Sequence, residues 1–271
     1  MRTIVSRRIN ARSAGETNAL VECAAGMKGV IVIPARYGST RFPGKPLVEI
    51  AGVSLIRRVY ERSIASTRAA AVYVATDDAR IQDHVRDFGG RVVSPAGDYQ
   101  SGTDRIAAAI REIEALEATS FDQVVNVQGD EPLIDIGNVD RLIDALQSDA
   151  TIEIATLAAP ISTDEEFASR DVVKVVTALN GNALYFSRAT IPFSSRELAR
   201  RHIGVYAYQR AALDGFVTHA PSPLERAESL EQLRALQNGF TIRVIETTTP
   251  HIGVDRPEDV ANVERELAKH A

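Results

Sequence analysis

Three short stretches of this chain hold residues that could do chemistry together. Residues 34 to 47 read P-A-R-Y-G-S-T-R-F-P-G-K-P-L, in which Arg36, Arg41 and Lys45 are interleaved with Gly38, Gly44 and small hydroxyls. Glycines let a backbone approach a ligand and present N–H groups, and the three cations oppose the charge of a polyphosphate. The stretch is not a Walker loop, which needs four residues between its glycines and Ser or Thr after Lys; here five intervene and Pro46 follows. On composition alone it reads equally well as a solvated basic loop whose glycines serve turns. Residues 128 to 132, Q-G-D-E-P, follow the apolar run Val124-Val125-Asn126-Val127 and offer Asp130 and Glu131. A hard cation such as Mg²⁺ commonly joins one or two carboxylates to substrate phosphates, although two acids alone also describe an exposed Gly-Asp turn. Residues 253 to 258, G-V-D-R-P-E, add Asp255. It is either another metal carboxylate or, in Asp-x-x-Glu spacing, a helix cap.

Such loops act together only if a scaffold brings them to one edge. From Val30 onward, β-branched runs alternate with helical periodicity, the pattern of βαβ units around a mainly parallel sheet, so the fold class is α/β. Strands are expected at 30–34, 71–75, 91–94, 124–127, 152–158, 172–177, 203–208 and 241–245. Leu55, Ile56, Val59, Tyr60 and Ile64 trace one helical face behind a Ser54 cap, and Ile106, Ala109, Ile110, Ile113 and Leu116 trace another behind Thr103. Further helices are expected at 223–237 and 257–269, the second with Pro257 near its start. Sheets of this class bind ligands beyond the carboxyl ends of their strands, which is where the first two loops fall.

Composition narrows the partners. A formal charge of -5 lacks the basic footprint of a nucleic-acid binder. The longest apolar runs, 30–35 and 152–160, fall short of the roughly 20 residues that span a bilayer. One cysteine, Cys23, permits neither an internal disulfide nor a thiolate metal cage, which reads as a reducing, cytoplasmic location. Residues 1–26 scatter Arg2, Arg7, Arg8 and Arg12 among polar residues without a continuous apolar core. They read as a disordered or mis-started extension, not a secretory signal, leaving 27–271 as a single domain.

Seven motifs stand in order along the chain: the 34–47 stretch, Q-S-G-T-D-R at 100–105, N-V-Q-G-D-E-P at 126–132, A-L-Y-F-S-R-A-T-I-P at 183–192, S-P-L-E at 222–225, E-Q-L-R-A-L at 231–236 and G-V-D-R-P-E-D at 253–259. Together, from about Lys28 to the C-terminus, they resemble the 3-deoxy-manno-octulosonate (Kdo) cytidylyltransferase family, the CMP-Kdo synthetases. The resemblance implies a Rossmann-like nucleotidyltransferase fold with a smaller β region at 160–215, and a homodimer formed through 170–210. It implies a Mg²⁺-dependent reaction in which the anomeric hydroxyl of a 2-keto-3-deoxy sugar acid attacks the α-phosphorus of CTP and releases pyrophosphate, for lipopolysaccharide or related surface glycans. By the same resemblance, Ala35, Arg36, Ser39, Arg41, Lys45, Gln100, Ser101, Gly102 and Thr103 meet CTP. Asp130 and Asp255 hold the metal, and with Arg36 and Lys45 form the catalytic set. Gln128, Tyr185, Arg188, His202, Tyr206, Glu225 and Gln232 meet the sugar.

One departure bears on the sugar. The family continues Ile-Pro-Trp into a longer loop before a His-x-Gly-x-Tyr strand, whereas here Phe193 and eight further residues lead to His202. A shortened lid implies altered or broadened sugar choice, an 8-amino derivative of Kdo being one candidate. Arg256 stands where the family more often has Thr. Two other readings of the same residues remain: a metal-dependent glycosyltransferase, which usually shows Asp-x-Asp where this chain has Gly-Asp-Glu, and a non-catalytic nucleotide or sugar-acid sensor, which would tolerate loss of one of the two aspartates.

Overall fold

The computed structural model describes residues 28–38, 42–97, 99, 101–249 and 252–269. The expected extension at 1–26 and the candidate residues Ser39, Arg41 and Gln100 lie outside the described residues. Eleven strands are described: β1 (Gly29–Pro34), β2 (Glu49–Ile50), β3 (Val53–Ser54), β4 (Ala69–Ala75), β5 (Val92–Val93), β6 (Gln123–Asn126), β7 (Ile154–Pro160), β8 (Lys174–Thr177), β9 (Ala183–Ser187), β10 (Arg200–Gln209) and β11 (Ile242–Glu246). Apart from the small β2–β3 hairpin they form one sheet in the order β11-β7-β10-β6-β1-β4-β5, with β8 joined to β10 and β9 to β8. The β1–β4, β1–β6, β4–β5 and β7–β11 pairs are parallel, while β10 runs antiparallel between β6 and β7. The central sheet is therefore mixed but mostly parallel, as the alternation predicts.

The centre of the sheet follows from β1. Val30 to Ile33 are all buried, the mark of a strand covered on both faces. Alternate side chains point to opposite faces. Ile31 and Ile33 pack with Leu55, Ile56 and Val59 of the helix Leu55–Ser63, and Val30 and Val32 with Ile106, Ala109 and Ile110 of the helix Gly102–Glu117. No helix among the described residues is long and apolar enough to cross a membrane.

Several local expectations are corrected. Ser54 occupies the N-cap position of its helix, but its hydroxyl meets His84 Nε2 at 2.6 Å and caps nothing. Ser101 caps the helix Gly102–Glu117 in place of Thr103, accepting from the Asp104 N–H at 3.1 Å. The helix expected over 223–237 is two, Pro223–Glu228 and Gln232–Gln237, because Ser229 turns into the left-handed region at φ 53°. The last helix spans Asp259–Ala268, so Pro257 precedes it instead of opening it. Strand β9 falls outside the expected runs and adds Phe186 to the core, its ring edge-on to His202 at 5.0 Å. Phe186→Ala is expected to destabilise the protein by about 3–5 kcal/mol, read from urea unfolding; a change below about 1 kcal/mol would show that β9 is not part of the packed core.

Candidate active site

Because β1 and β6 are parallel neighbours, the chain leaves both at the same sheet edge. There the loops after them, together with the segment ahead of the last helix, enclose a cavity of about 410 Å³ lined by Pro34, Ala35, Arg36, Gly38, Lys45, Pro46, Gln128, Gly129, Asp130 and Asp255. The loops touch closely: Val254 N donates to Asp130 O at 2.9 Å, and a Cβ on Gly129 would lie 3.0 Å from the Pro34 carbonyl oxygen. Only glycine lets the backbone of 128–130 lie this near the end of β1.

Lys45 is the organising charge. It follows Gly44, which at φ 72° carries the chain into the short helical turn Lys45–Leu47. Its ammonium lies 2.8 Å from Asp130 Oδ2 and 3.5 Å from Asp255 Oδ1, with the Lys45 side chain only 15% exposed. Asp255 is no cap: the helix Asp259–Ala268 has no side-chain cap, and Asp259 itself accepts from the Asp255 and Arg256 N–H groups at 2.9 and 2.8 Å. Its carboxylate, 69% exposed, faces the cavity. Glu131, the other acid of the motif, lies against Gly253 and does not line the cavity. Arg36 donates to Tyr99 O at 2.9 Å. Ser101, Gly102 and Thr103 form the start of their helix near Pro34 but do not line this cavity.

A second cavity of about 460 Å³ adjoins the first through Gln128, which lines both. Arg188, His202, Tyr206 and Gln232, four of the residues that the resemblance assigns to the sugar, line it together with Tyr208 and Glu231. His202 Nε2 is 3.1 Å from Thr156 Oγ1, and its ring lies 5.4 Å from that of Tyr206. Burial pushes the phenols of Tyr206 and Tyr208 well above their ordinary pKa, so both stay protonated. The Gln232 Nε2 is buried and has no hydrogen-bond partner among the described residues. Glu231 escaped the sequence reading. It accepts from Thr103 Oγ1 at 2.7 Å across 128 positions, and its place beside Gln232 in E-Q-L-R-A-L was the available signal.

Two expected sugar contacts sit elsewhere. Tyr185 is half-buried in β9, outside the lining of the second cavity. Glu225 also lies outside it: it completes a capping box with Ser222 and takes two hydrogen bonds from Arg234, at 2.6 and 2.8 Å. The geometry thus supports the helix-terminus role for Glu225. Burial works against its ionised form, yet the Arg234 guanidinium holds its pKa below the ordinary 4.5. The unfolded chain then binds the proton more readily, so this stabilisation is present above pH 4.5 and fades as pH falls through the depressed value. Arg234→Met is expected to cost about 3–5 kcal/mol at neutral pH by stranding a buried carboxylate. Urea midpoints should show the gap to wild type narrowing below pH 4.5; a gap independent of pH would contradict the pairing.

Among known proteins, the family model described as cytidylyltransferase matches residues 30–245. The chain is 46% identical over 257 residues to a 3-deoxy-manno-octulosonate cytidylyltransferase of Geobacter metallireducens, covering 90% of this chain and 99% of that one. A relative of the same description from Syntrophotalea carbinolica is 47% identical, with 87% and 97% covered. Among solved structures, a CMP:2-keto-3-deoxy-manno-octonic acid synthetase complexed with CTP superposes at a TM-score of 0.82 with 42% identity, over 90% of this chain and 100% of that one. A cytidylyltransferase from Leptospira borgpetersenii, 19% identical, shares the fold at a TM-score of 0.61, over 90% and 87% of the two chains. With a strand-end cavity holding Lys45, Asp130 and Asp255, and with likeness of this extent, the chain belongs to the 3-deoxy-manno-octulosonate cytidylyltransferase family.

Proposed function

We propose that this protein transfers CMP from CTP to the anomeric hydroxyl of 3-deoxy-manno-octulosonate and releases pyrophosphate, the activity for which its relatives are named. The observation that carries the reading is Gln128, which lines both cavities: one offers Arg36, Lys45, Asp130 and Asp255, which suit a triphosphate with a cation, and the other offers polar and aromatic groups that suit a sugar acid. Arg36 and Lys45 supply positive charge to the triphosphate, and Gly38 and Gly129 leave its approach open. Arg188 offers its guanidinium to the carboxylate of the sugar acid. The protonated phenols of Tyr206 and Tyr208 and the Gln232 amide can donate to the substrate, while Glu231 can accept from its hydroxyls.

The donor set suits Mg²⁺. Asp130 and Asp255 are hard carboxylate ligands converging on one cationic position, held by Lys45 Nζ, in a cavity with room for water and phosphate oxygens. Among the described residues no group of three or more His, Cys, Asp or Glu gathers to hold a metal, so substrate and water oxygens would complete the coordination. Mg²⁺ held there would polarise the α-phosphate and lower the pKa of the attacking hydroxyl. The protein need supply no nucleophile. Both substrates are anions, so its residues act by offsetting repulsion and fixing orientation.

The exposed apolar side chains of Leu184, Phe193 and Leu198 favour a second copy of the chain as the partner of the 170–210 region. Phe193, at 98% exposure, also marks the shortened segment before β10, and its brevity favours a broadened sugar range.

Pyrophosphate release measured with CTP, with and without sugar acid, tests the reading: release is expected only when both are present. Release without sugar acid, or none at all, would contradict it, as would UTP or ATP serving equally well. Asp130→Asn and Asp255→Asn should each lower kcat by about 10²–10³ or more with the fold retained, and wild-type rates in either variant would remove the two-aspartate metal site. Comparing kcat/KM for Kdo and its 8-amino derivative tests the short segment, which predicts acceptance of both; strict preference for Kdo would show that the segment carries no specificity.

A further inference from the structure

Lys174 is among the largest fully buried side chains of the described residues, at 0% exposure. Taking an ammonium out of water costs several kcal/mol, and an apolar side chain of similar volume would fill the same space more cheaply. Burial pushes the Lys174 pKa down, with the charge of Glu228 working against that shift. The ammonium has three donors, and all are spent on backbone carbonyls: Ser169 O at 2.8 Å, Val172 O at 2.7 Å and Arg188 O at 2.6 Å.

Those carbonyls converge on one side chain. Ser169 and Val172 flank Arg170, whose own carbonyl accepts from Arg188 Nη1 at 3.0 Å. The third carbonyl belongs to Arg188 itself. Glu228 closes the arrangement, accepting from the Arg188 N–H at 2.9 Å and from Ser187 Oγ at 2.7 Å, while its backbone oxygen accepts from Arg188 Nε at 3.0 Å. Nε and one N–H of Nη1 are thereby committed, Nη2 makes no hydrogen bond among the described residues, and Arg188 lines the second cavity.

From this geometry we infer that Lys174 is a positioning residue for the reaction: it fixes the backbone on both sides of Arg170 and at Arg188, so that the Arg188 guanidinium is preset to receive the carboxylate of the sugar acid. The inference rests on the function proposed above. A free arginine side chain samples many rotamers and loses that freedom when it grips a ligand. Immobilising it before the ligand arrives removes that cost from binding.

A double-mutant cycle tests the role. Lys174→Met should raise KM for Kdo at least about tenfold, the order expected when a charge-assisted hydrogen bond is misaligned, with KM for CTP unchanged within about twofold. In an Arg188→Met background the same substitution should change KM for Kdo by less than about twofold, because its effect runs through Arg188. Additive effects in the two backgrounds, or equal increases in both KM values, would overturn the positioning role and mark Lys174 as purely structural. Should Lys174→Met fail to fold at the assay temperature, Lys174→Gln, which cannot supply all three hydrogen bonds, takes its place in the cycle, with the same two outcomes deciding. Absence of turnover in the wild type would sink both the function and this inference, whereas normal turnover with additive effects would sink the inference alone.

Discussion

The parallel pairing of β1 with β6 is the constraint on which the site depends. Register Ile31↔Val125 and Val32↔Asn126 sends both chains off the sheet at one edge, so the loop with Lys45 and the loop with Asp130 emerge side by side. The Gly129 backbone then packs against Pro34, and the Val254 N–H reaches Asp130 O and brings Asp255 to the same place. Inserting antiparallel β10 beside β6 gives the site its other half. Tyr206 pairs with Asn126 across that strand boundary, and Gln128, two residues further on, stands between the cavities.

Charge balance follows from that placement. Without ligand, Asp130 and Asp255 would repel each other, and the Lys45 ammonium between them offsets this. The proposed binding of a triphosphate, a sugar carboxylate and a divalent cation calls for both signs of charge within a few ångströms, as Arg36, Lys45, Asp130 and Asp255 provide. Around the second cavity, Thr103 engages Glu231 and the tyrosines remain uncharged, while Arg234 neutralises Glu225 outside it.

Much of this was legible in the residues, because the signals were local. The β1 run, the glycines and cations of 34–47, and the acids at 130 and 255 each announce themselves within a few positions. What the sequence left open was settled by contacts distant in the chain. Nothing near Glu231 tells that Thr103 will reach it, and Ser-Pro-Leu-Glu looks the same whether Glu225 meets a ligand or caps its own helix against Arg234. The local spacing at Asp255 also fits a helix cap, an alternative that fails because the helix starts at Asp259 and has no side-chain cap. The break at Ser229 was hidden because a left-handed serine carries no compositional mark, and β10 between β6 and β7 is a matter of strand order that periodicity does not encode.

Gln128 is proposed to join a triphosphate pocket to a sugar-acid pocket. A crystal structure with CTP and an unreactive analogue of the sugar acid tests it most directly. The triphosphate is expected against Arg36 and Lys45, the sugar carboxylate against Arg188, and Gln128 between the two ligands. A sugar acid bound away from Arg188, or a triphosphate lying outside the cavity of Lys45, Asp130 and Asp255, would contradict it.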